Sequence, residues 1–510
     1  MAWVWGDMGV DASAAAPGAV RSLIPARIDR LPWSPFHTRM VGALGAVWIL
    51  DGLEITVASA VAATLSLPET LALSSTQVGL LATVYLIGEV VGALFFGRLS
   101  DRLGRRNLFM ITLAVYLIGS GLTALTLNNG TGWLVFLYAT RFIAGMGIGG
   151  EYAAINSAID ELIPARFRGR VDIMVNGTYW FGAILGTLGT FILLNAFDPS
   201  IGWRIGFAIG PVLGIVILFV RRHLPESPRW QVMHGRQEAA EKSIAYMEQE
   251  VRATGRDLPK VDESKAIDVK AGDDHGYLAL VRVLFREYPT RSILSASMMI
   301  TQSFLYNAIF FTYTLMLTRF YAVDASDTPL FLIAFAAGNL IGPLTIGHLF
   351  DTIGRKTMIA TTYITSGVLL AITAFLFNAG ALTAVTQTIA WSVIFFFASA
   401  GASSAYLTVS EIFPMEVRAK AIAVFFAIAQ LFGSSGPLIY GALIGDGSDP
   451  FQLFLGYLLG AGVMVIGGIV AIFFGVAAEG RSLEEIAAPL NSVGRTGTTR
   501  AEGAGSPRQT

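Results

Sequence analysis

One charged pattern occurs twice in this chain. Gly97, Asp101, Gly104, Arg105 and Arg106 are matched in spacing by Gly347, Asp351, Gly354, Arg355 and Lys356, 250 positions later. A second set keeps the same offset, since Glu161, Pro164 and Arg168 are echoed by Glu411, Pro414 and Arg418. Two independent motifs at one offset identify a duplicated chain, so the fold must be built from two copies of one unit. Both copies lie in apolar sequence. Of 510 residues, 54% are hydrophobic and only 14% charged, the composition of a polytopic membrane protein rather than a soluble enzyme.

Apolar runs near 40–65, 77–99, 107–127, 131–159, 168–195 and 202–222 are each long enough to cross about 30 Å of hydrocarbon as a helix. Six more lie near 291–319, 328–350, 356–377, 381–411, 417–444 and 450–476. The expected architecture is all-α and integral to the membrane: a tail over 1–39, a six-helix bundle over 40–222, a polar central loop over 223–290 carrying one surface helix from Trp230 to about Val251, a second six-helix bundle over 291–476, and a polar, disordered tail over 477–510. The first 39 residues contain no apolar core of a cleavable signal.

Orientation follows from the basic residues. Arg98, Arg102, Arg105, Arg106, Arg166, Arg168, Arg170, Arg355, Lys356, Arg418 and Lys420 all fall in connections on one side, while the six connections on the other side hold no Lys or Arg. The positive-inside rule then predicts that both termini and the central loop are cytoplasmic, in a multi-pass protein of the cell membrane. Two parallel six-helix repeats put a small-molecule site at their interface near the midplane.

Other chemistries are poorly supported. The chain has no cysteine and five scattered histidines, which excludes a disulfide framework and a thiolate nucleophile and offers no metal-ligand spacing. No cofactor, metal or nucleic-acid partner is expected, and no nucleophile–base pair points to an enzyme. The glycines at 145, 147, 149 and 150 follow no strand and sit inside an apolar span, so helix packing explains them better than a nucleotide loop.

The paired hairpins, twelve spans and long central loop resemble the major facilitator superfamily over about 40–480. Arg141 to Glu151, Pro225 to Trp230, Ser410 to Pro414 and Glu479 to Ile486 resemble motifs of its sugar porter branch and of related metabolite:proton symporters. The resemblance implies alternating access between two rocking bundles. It also implies that Gly97, Asp101, Gly104, Arg105, Arg106, Glu161, Arg168, Asp351, Arg355, Glu411 and Arg418 latch the cytoplasmic ends when the carrier faces outward. Topology-setting charge alone is the plainer explanation of those residues.

Within the spans an ionisable group is costly unless paired or hydrated. Asp51 and Glu54 lie three apart in the first span, on one helix face, and Arg141 lies in the fourth. Gly52, Leu53 and Glu54 are similar to the first-span element of sugar porters whose acid pairs with the fourth-span arginine; Asp51, Gly52 and Glu54 also approximate the acidic element of aromatic acid:proton symporters. Both resemblances make Glu54 and Arg141, with Asp51, the candidate proton-coupling charges. A static buried ion pair is the bland alternative. Glu89 and Glu151 are further buried acids, expected mainly to make structural hydrogen bonds.

The C-terminal half supplies amides and aromatics. Gln302 and Asn307 match a sugar porter element in the seventh span, whereas Thr301 and Leu305 depart from it. Gln302, Tyr306 and Tyr313 share a helical face, and Asn307 is expected to join them only if the helix bends. Tyr406 stands where sugar porters carry a tryptophan, and Asn176, Tyr179 and Trp180 in the fifth span are weaker candidates. Interfacial or lipid-facing placement is the alternative for each aromatic. The expectation is a monomeric secondary carrier of a small sugar, polyol or aromatic or organic acid, coupled to protons; efflux by antiport and a non-transporting nutrient sensor are the alternatives. Arg141 paired with Glu54 implies a neutral cargo, and Arg141 free to clamp a carboxylate implies an organic anion.

Overall fold

The computed structural model describes residues 19–103, 105–221, 226–233, 235–261, 263, 267–270, 277–413 and 415–476, and within these some helical side chains are outside the description. Helices α2 (Pro35–Ala60), α3 (Ser75–Leu103), α4 (Arg105–Thr123), α5 (Thr131–Leu162), α6 (Ala165–Ala196) and α7 (Pro199–Arg221) build the first half, after a short helix α1 (Ile24–Asp29). Between the halves lie α8 (Pro228–Met233), α9 (Gln237–Arg252) and α10 (Tyr277–Glu287). The second half comprises α11 (Pro289–Tyr321), α12 (Thr328–Ile346), α13 (Leu349–Thr352), α14 (Arg355–Asn378), α15 (Ala384–Ile412), α16 (Met415–Gly433), α17 (Ser435–Ile444) and α18 (Pro450–Phe474). Among the described residues ten helical segments are long and apolar enough to span a membrane, and Asn107–Thr123 is a shorter eleventh. The chain is thus a multi-pass membrane protein.

The duplication in the sequence is repeated in the packing. In the first half α3 packs on α5, α2 on α6 and α4 on α7; their counterparts 250 residues on, α12 on α15, α11 on α16 and α17, and α14 on α18, do the same. Between the halves α3 lies against α16 and α17, and its mirror contact is α12 against α6. Local chemistry sets the breaks. Pro437 cannot continue the backbone ladder and its ring conflicts with the carbonyl four residues earlier, so the span near 417–444 divides after Gly433 into α16 and α17. Gly354 holds φ +109°, a value that favours glycine, and turns the chain into α14.

The glycine-rich stretch in α5 is a packing surface. A methyl group on Gly145 or Gly149 would lie 2.0 Å from the carbonyl oxygens of Tyr85 and Glu89 on α3. That approach fixes the depth at which Tyr85 and Glu89 face the interior.

Residues 19–39 do more than precede a span. α2 begins at Pro35, inside the expected tail; the helix expected over 230–251 is two, α8 and α9, separated at Gly235 with φ +70°, and α10 is a further helix of the central loop. Residues 19–22 form a strand pairing antiparallel with 267–270 of the central loop. Ile24, Ile28 and Leu31 share an apolar core with Ala240, Ile244, Met247 and Val251 of α9 and with Met40, Leu44 and Val47 of α2. Arg27 grips Glu248 with two nitrogens at 2.9 and 3.0 Å, Arg30 donates to the same carboxylate at 2.6 Å, and Arg39 pairs with Glu250 at 2.7 Å.

Burial alone would raise the Glu248 carboxyl, but its hydrogen bonds to Arg27 and Arg30 outweigh it and hold the group below its ordinary value. A depressed acid stabilises docking above its unfolded pKa and loses that contribution as pH falls through the folded one. Hydrogen exchange over residues 24–33 is therefore expected to rise below about pH 4, and Glu248→Gln to raise it at neutral pH and remove the acid step.

Candidate functional site

The buried charges gather in the first half. Glu54 on α2 is 2% exposed and accepts a hydrogen bond from the Ser120 hydroxyl of α4 at 2.7 Å. Its other oxygen has no hydrogen-bond partner among the described residues and rests against Gly210 of α7. The Tyr116 hydroxyl faces the same carboxylate without a hydrogen bond of ordinary geometry. A methyl group on Gly210 would come within 1.0 Å of Glu54 Oε1. Gly210→Ala is therefore expected to cost about 1–3 kcal/mol through overpacking, read as a lowered melting temperature. Combining it with Glu54→Asp, which withdraws the carboxylate by one methylene, should recover part of that loss.

Arg141 of α5 is 2% exposed, and its guanidinium lies 4.3 Å from the Tyr85 ring centre and 5.1 Å from that of Phe207. The cationic plane is held by aromatic faces. Among the described residues no carboxylate lies within ion-pair distance of it, although Glu54 and Glu89 are both close enough to act on it through space. The direct Glu54–Arg141 pair expected from the resemblance is therefore not formed in this state: Ser120 and Gly210 hold the acid, and Tyr85 and Phe207 hold the base. Arg141 also borders a cavity with room for about one water, walled by Ala58 and Ala62 of the first span, Leu81 and Ala82 of α3, and Phe311 of α11. Asp51 is 1% exposed and sits near Tyr85, Tyr116 and Tyr179, while Glu151 is fully buried; both have interactions within the fold.

The second half contributes an amide cluster at the interface. Gln302, Ser303, Tyr306 and Asn307 are the half-buried positions of residues 301–310 on α11. Asn307 Nδ2 donates to Gln430 Oε1 of α16 at 3.1 Å and to Ser303 Oγ at 3.2 Å; the Ser303 hydroxyl donates to the same Gln430 oxygen. Gln430 Nε2 then donates across the interface to Glu89 Oε2 of α3 at 2.5 Å. On the other flank the Tyr306 hydroxyl donates to Asn339 Oδ1 of α12 at 2.5 Å, and the Tyr306 ring lies 6.3 Å from that of Trp180 and 4.9 Å from that of Phe395.

Several sequence candidates are thereby sorted. α11 runs unbroken from 289 to 321, so no bend is needed for Asn307 and Tyr306: they address α16 and α12 respectively. Gln302 is half-buried beside them. Tyr313 points elsewhere, since its hydroxyl meets Thr388 Oγ1 at 2.6 Å and its ring packs 4.9 Å from Trp391 in the core of the second half. Asn176 and Tyr406 lie outside the described side chains, as do Asp101, Arg105, Arg106, Glu161, Arg168, Asp351, Glu411 and Arg418 of the expected latch, and Gly104 lies outside the described residues. Of the remaining latch positions, Gly97 makes room for the Tyr277 hydroxyl of α10, which a methyl group there would meet at 2.8 Å, and Arg355 is half-buried with partners in the fold.

Two amides of the site are not among the sequence candidates, Gln430 and Asn339. The signal was present in the repeat itself. Glu89 and Asn339 are 250 apart, and so are Trp180 and Gln430. The interfacial contact Glu89 to Gln430 is thus the pseudo-symmetric mate of the Asn339 and Trp180 flank, which Tyr306 bridges.

The family model described as "Sugar (and other) transporter" matches residues 43–490. The niacin transporter NiaP of Acinetobacter baylyi is 26% identical over 462 residues, covering 90% of this chain and 98% of its own. The glucose transporter GlcP of Staphylococcus epidermidis is 28% identical, covering 90% of this chain and 97% of its own. Among solved structures, a partially occluded inward-open conformation of the xylose transporter XylE from E. coli superposes with a TM-score of 0.69 at 19% identity, covering 88% of this chain and all of that one. With its duplicated helices, interfacial amide cluster and buried charges, the chain belongs to the sugar transporter family of the major facilitator fold, and it is a transporter rather than an enzyme.

Proposed function

We propose that this protein is a proton-coupled symporter of a small carboxylated metabolite, an aromatic or organic acid, with Arg141 as the carboxylate clamp and Glu54 as the proton carrier. The observation that carries this reading is the state of Arg141. A buried guanidinium held by two aromatic faces, with no carboxylate in ion-pair distance among the described residues, has donors to offer an anionic cargo. Phe311 of the second half borders its cavity, so a ligand there would bridge both bundles. Trp180 and Tyr306 supply flat apolar walls of the kind an aromatic ring would use. The similarity to a niacin transporter is in keeping with such a cargo. Separation of the basic connections supports cytoplasmic termini and placement in the cell membrane.

A neutral sugar is the second reading, favoured by the amide cluster of Asn307 and Gln430 and by the similarity to a glucose transporter. Uptake into proteoliposomes separates the two. Labelled benzoate or nicotinate is expected to accumulate when the outside is made acidic and to stop accumulating when the gradient is collapsed. Accumulation of a hexose with no response to carboxylates would overturn the proposal in favour of the sugar reading.

A further inference from the structure

Away from the basic hairpins, one line of contacts joins the halves. The Ser75 hydroxyl of α3 donates to the Gly445 carbonyl, and a methyl group on Gly79 would lie 2.2 Å from the Pro437 carbonyl. One turn further in, the Thr83 hydroxyl donates to the Ser434 carbonyl at 2.6 Å. Glu89 and Gln430 form its innermost rung, next to the amide cluster. Three of these rungs engage backbone carbonyls or glycine and cannot titrate. The fourth is a carboxyl group.

The Gln430 amide is oriented by its contacts with α11. Its oxygen faces two donors, Ser303 Oγ and Asn307 Nδ2, and its nitrogen faces Glu89. With Asn307 in this orientation, turning the Gln430 amide over would set N–H against N–H. A neutral Glu89 carboxyl accepts this bond through its carbonyl oxygen and brings no charge into the buried site. An ionised Glu89 accepts the same bond but carries a charge into a site where it is 5% exposed and makes no ion pair among the described residues. A single amide hydrogen bond returns less than such a charge loses on leaving water.

We infer that Glu89 is a proton-sensing positioning residue: the neutral acid completes the seam between α3 and α16–α17 that closes the carrier on the side opposite the basic hairpins, and its ionisation opens that seam. The inference rests on the proton-coupled reading above and deepens it. Proton loading would then favour closure over the bound cargo, and proton loss on the other side would favour reopening for the next cycle. Every neighbouring element offers a distinct influence. Arg141 of α5 faces Glu89 and opposes the neutral form, Tyr85 of its own helix and Tyr179 of α6 face it as uncharged phenols, Asp51 of α2 acts on both phenols, and α16 presents the Gln430 amide.

The chain has no cysteine, so Ser434→Cys places one reporter thiol in the seam. Its labelling by an impermeant maleimide from the outer side is normalised to a second single-cysteine protein, Ser448→Cys, at an exposed position at the same end of the molecule, which corrects for thiol ionisation. Normalised labelling is expected to fall several-fold from pH 8 to pH 5.5. In Glu89→Gln, which keeps an acceptor for Gln430 but cannot ionise, labelling should be low and flat. In Gln430→Leu, which removes the donor and leaves the acid, it should be high at both pH values. A pH response that survives unchanged in Glu89→Gln would overturn the inference, and so would low labelling in Gln430→Leu. Should Glu89→Gln fail to fold, the Gln430→Leu result decides alone. The assay needs no cargo: a Glu89-dependent response in a protein that does not accumulate carboxylates would refute the symport reading and leave the seam assignment standing.

Discussion

Arg141→Ala is expected to abolish carboxylate uptake while leaving the fold in place. The side chain contributes no ion pair among the described residues, so its removal strands no buried carboxylate. What is lost is the charged donor pair for the cargo, worth about 3 kcal/mol or roughly 100-fold in affinity. Arg141→Lys keeps the charge but not the planar fork or its stacking between Tyr85 and Phe207, and should bind about 10-fold weaker than the unaltered protein. The diagnostic readout is selectivity. Discrimination between a carboxylate and its neutral amide should collapse in Arg141→Ala, a change that general destabilisation would not produce. Retained discrimination would remove Arg141 from the cargo site.

Glu54→Gln is expected to separate exchange from accumulation. The amide oxygen can still accept from Ser120, and the side chain still fits against Gly210, so the helices α2, α4 and α7 should stay packed. A group that cannot take up a proton cannot drive cargo uphill. With the membrane potential clamped at zero, concentrative uptake should fall to the equilibrium ratio, about 1, because no proton is coupled to it, while counterflow exchange continues within a few-fold of its original rate. Loss of both activities together with a lowered melting temperature would make Glu54 a packing residue only.

Much of this was legible in the chain itself, because membrane spans are written in long apolar runs and the repeat is written in a constant offset. The segments near 77–99 and 328–350 became α3 and α12 with α13, and the mirror packing of the two halves follows from one duplication. The burial of Glu54, Glu89 and Arg141 could be read because charge in a span has nowhere to go but the interior. The pairings could not. Helical spacing gives the direction of a side chain but not which neighbour takes its hydrogen bond, so Arg141 was expected on Glu54 and is found between Tyr85 and Phe207. Tyr313 shares a helical face with Gln302, yet depth along the helix puts it in the core beside Trp391. Gln430 passed unnoticed because an amide in an apolar run carries no charge to mark it, although the 250-residue offset from Trp180 would have flagged it. The docking of residues 24–31 on α9 was hidden too, since it depends on two segments about 220 positions apart in sequence.

The central claim is that the cargo carries a carboxylate that Arg141 receives. Thermal stabilisation of the purified protein by nicotinate and by nicotinamide, two ligands of one size that differ in charge, tests it most directly. At saturating concentration a ligand bound to the folded state alone raises the melting temperature by mass action. The expected result is a shift with nicotinate, or with another aromatic monocarboxylate such as benzoate, no shift with the neutral amide, and no shift with either in Arg141→Ala. Equal stabilisation by acid and amide, or stabilisation by hexoses alone, would contradict it.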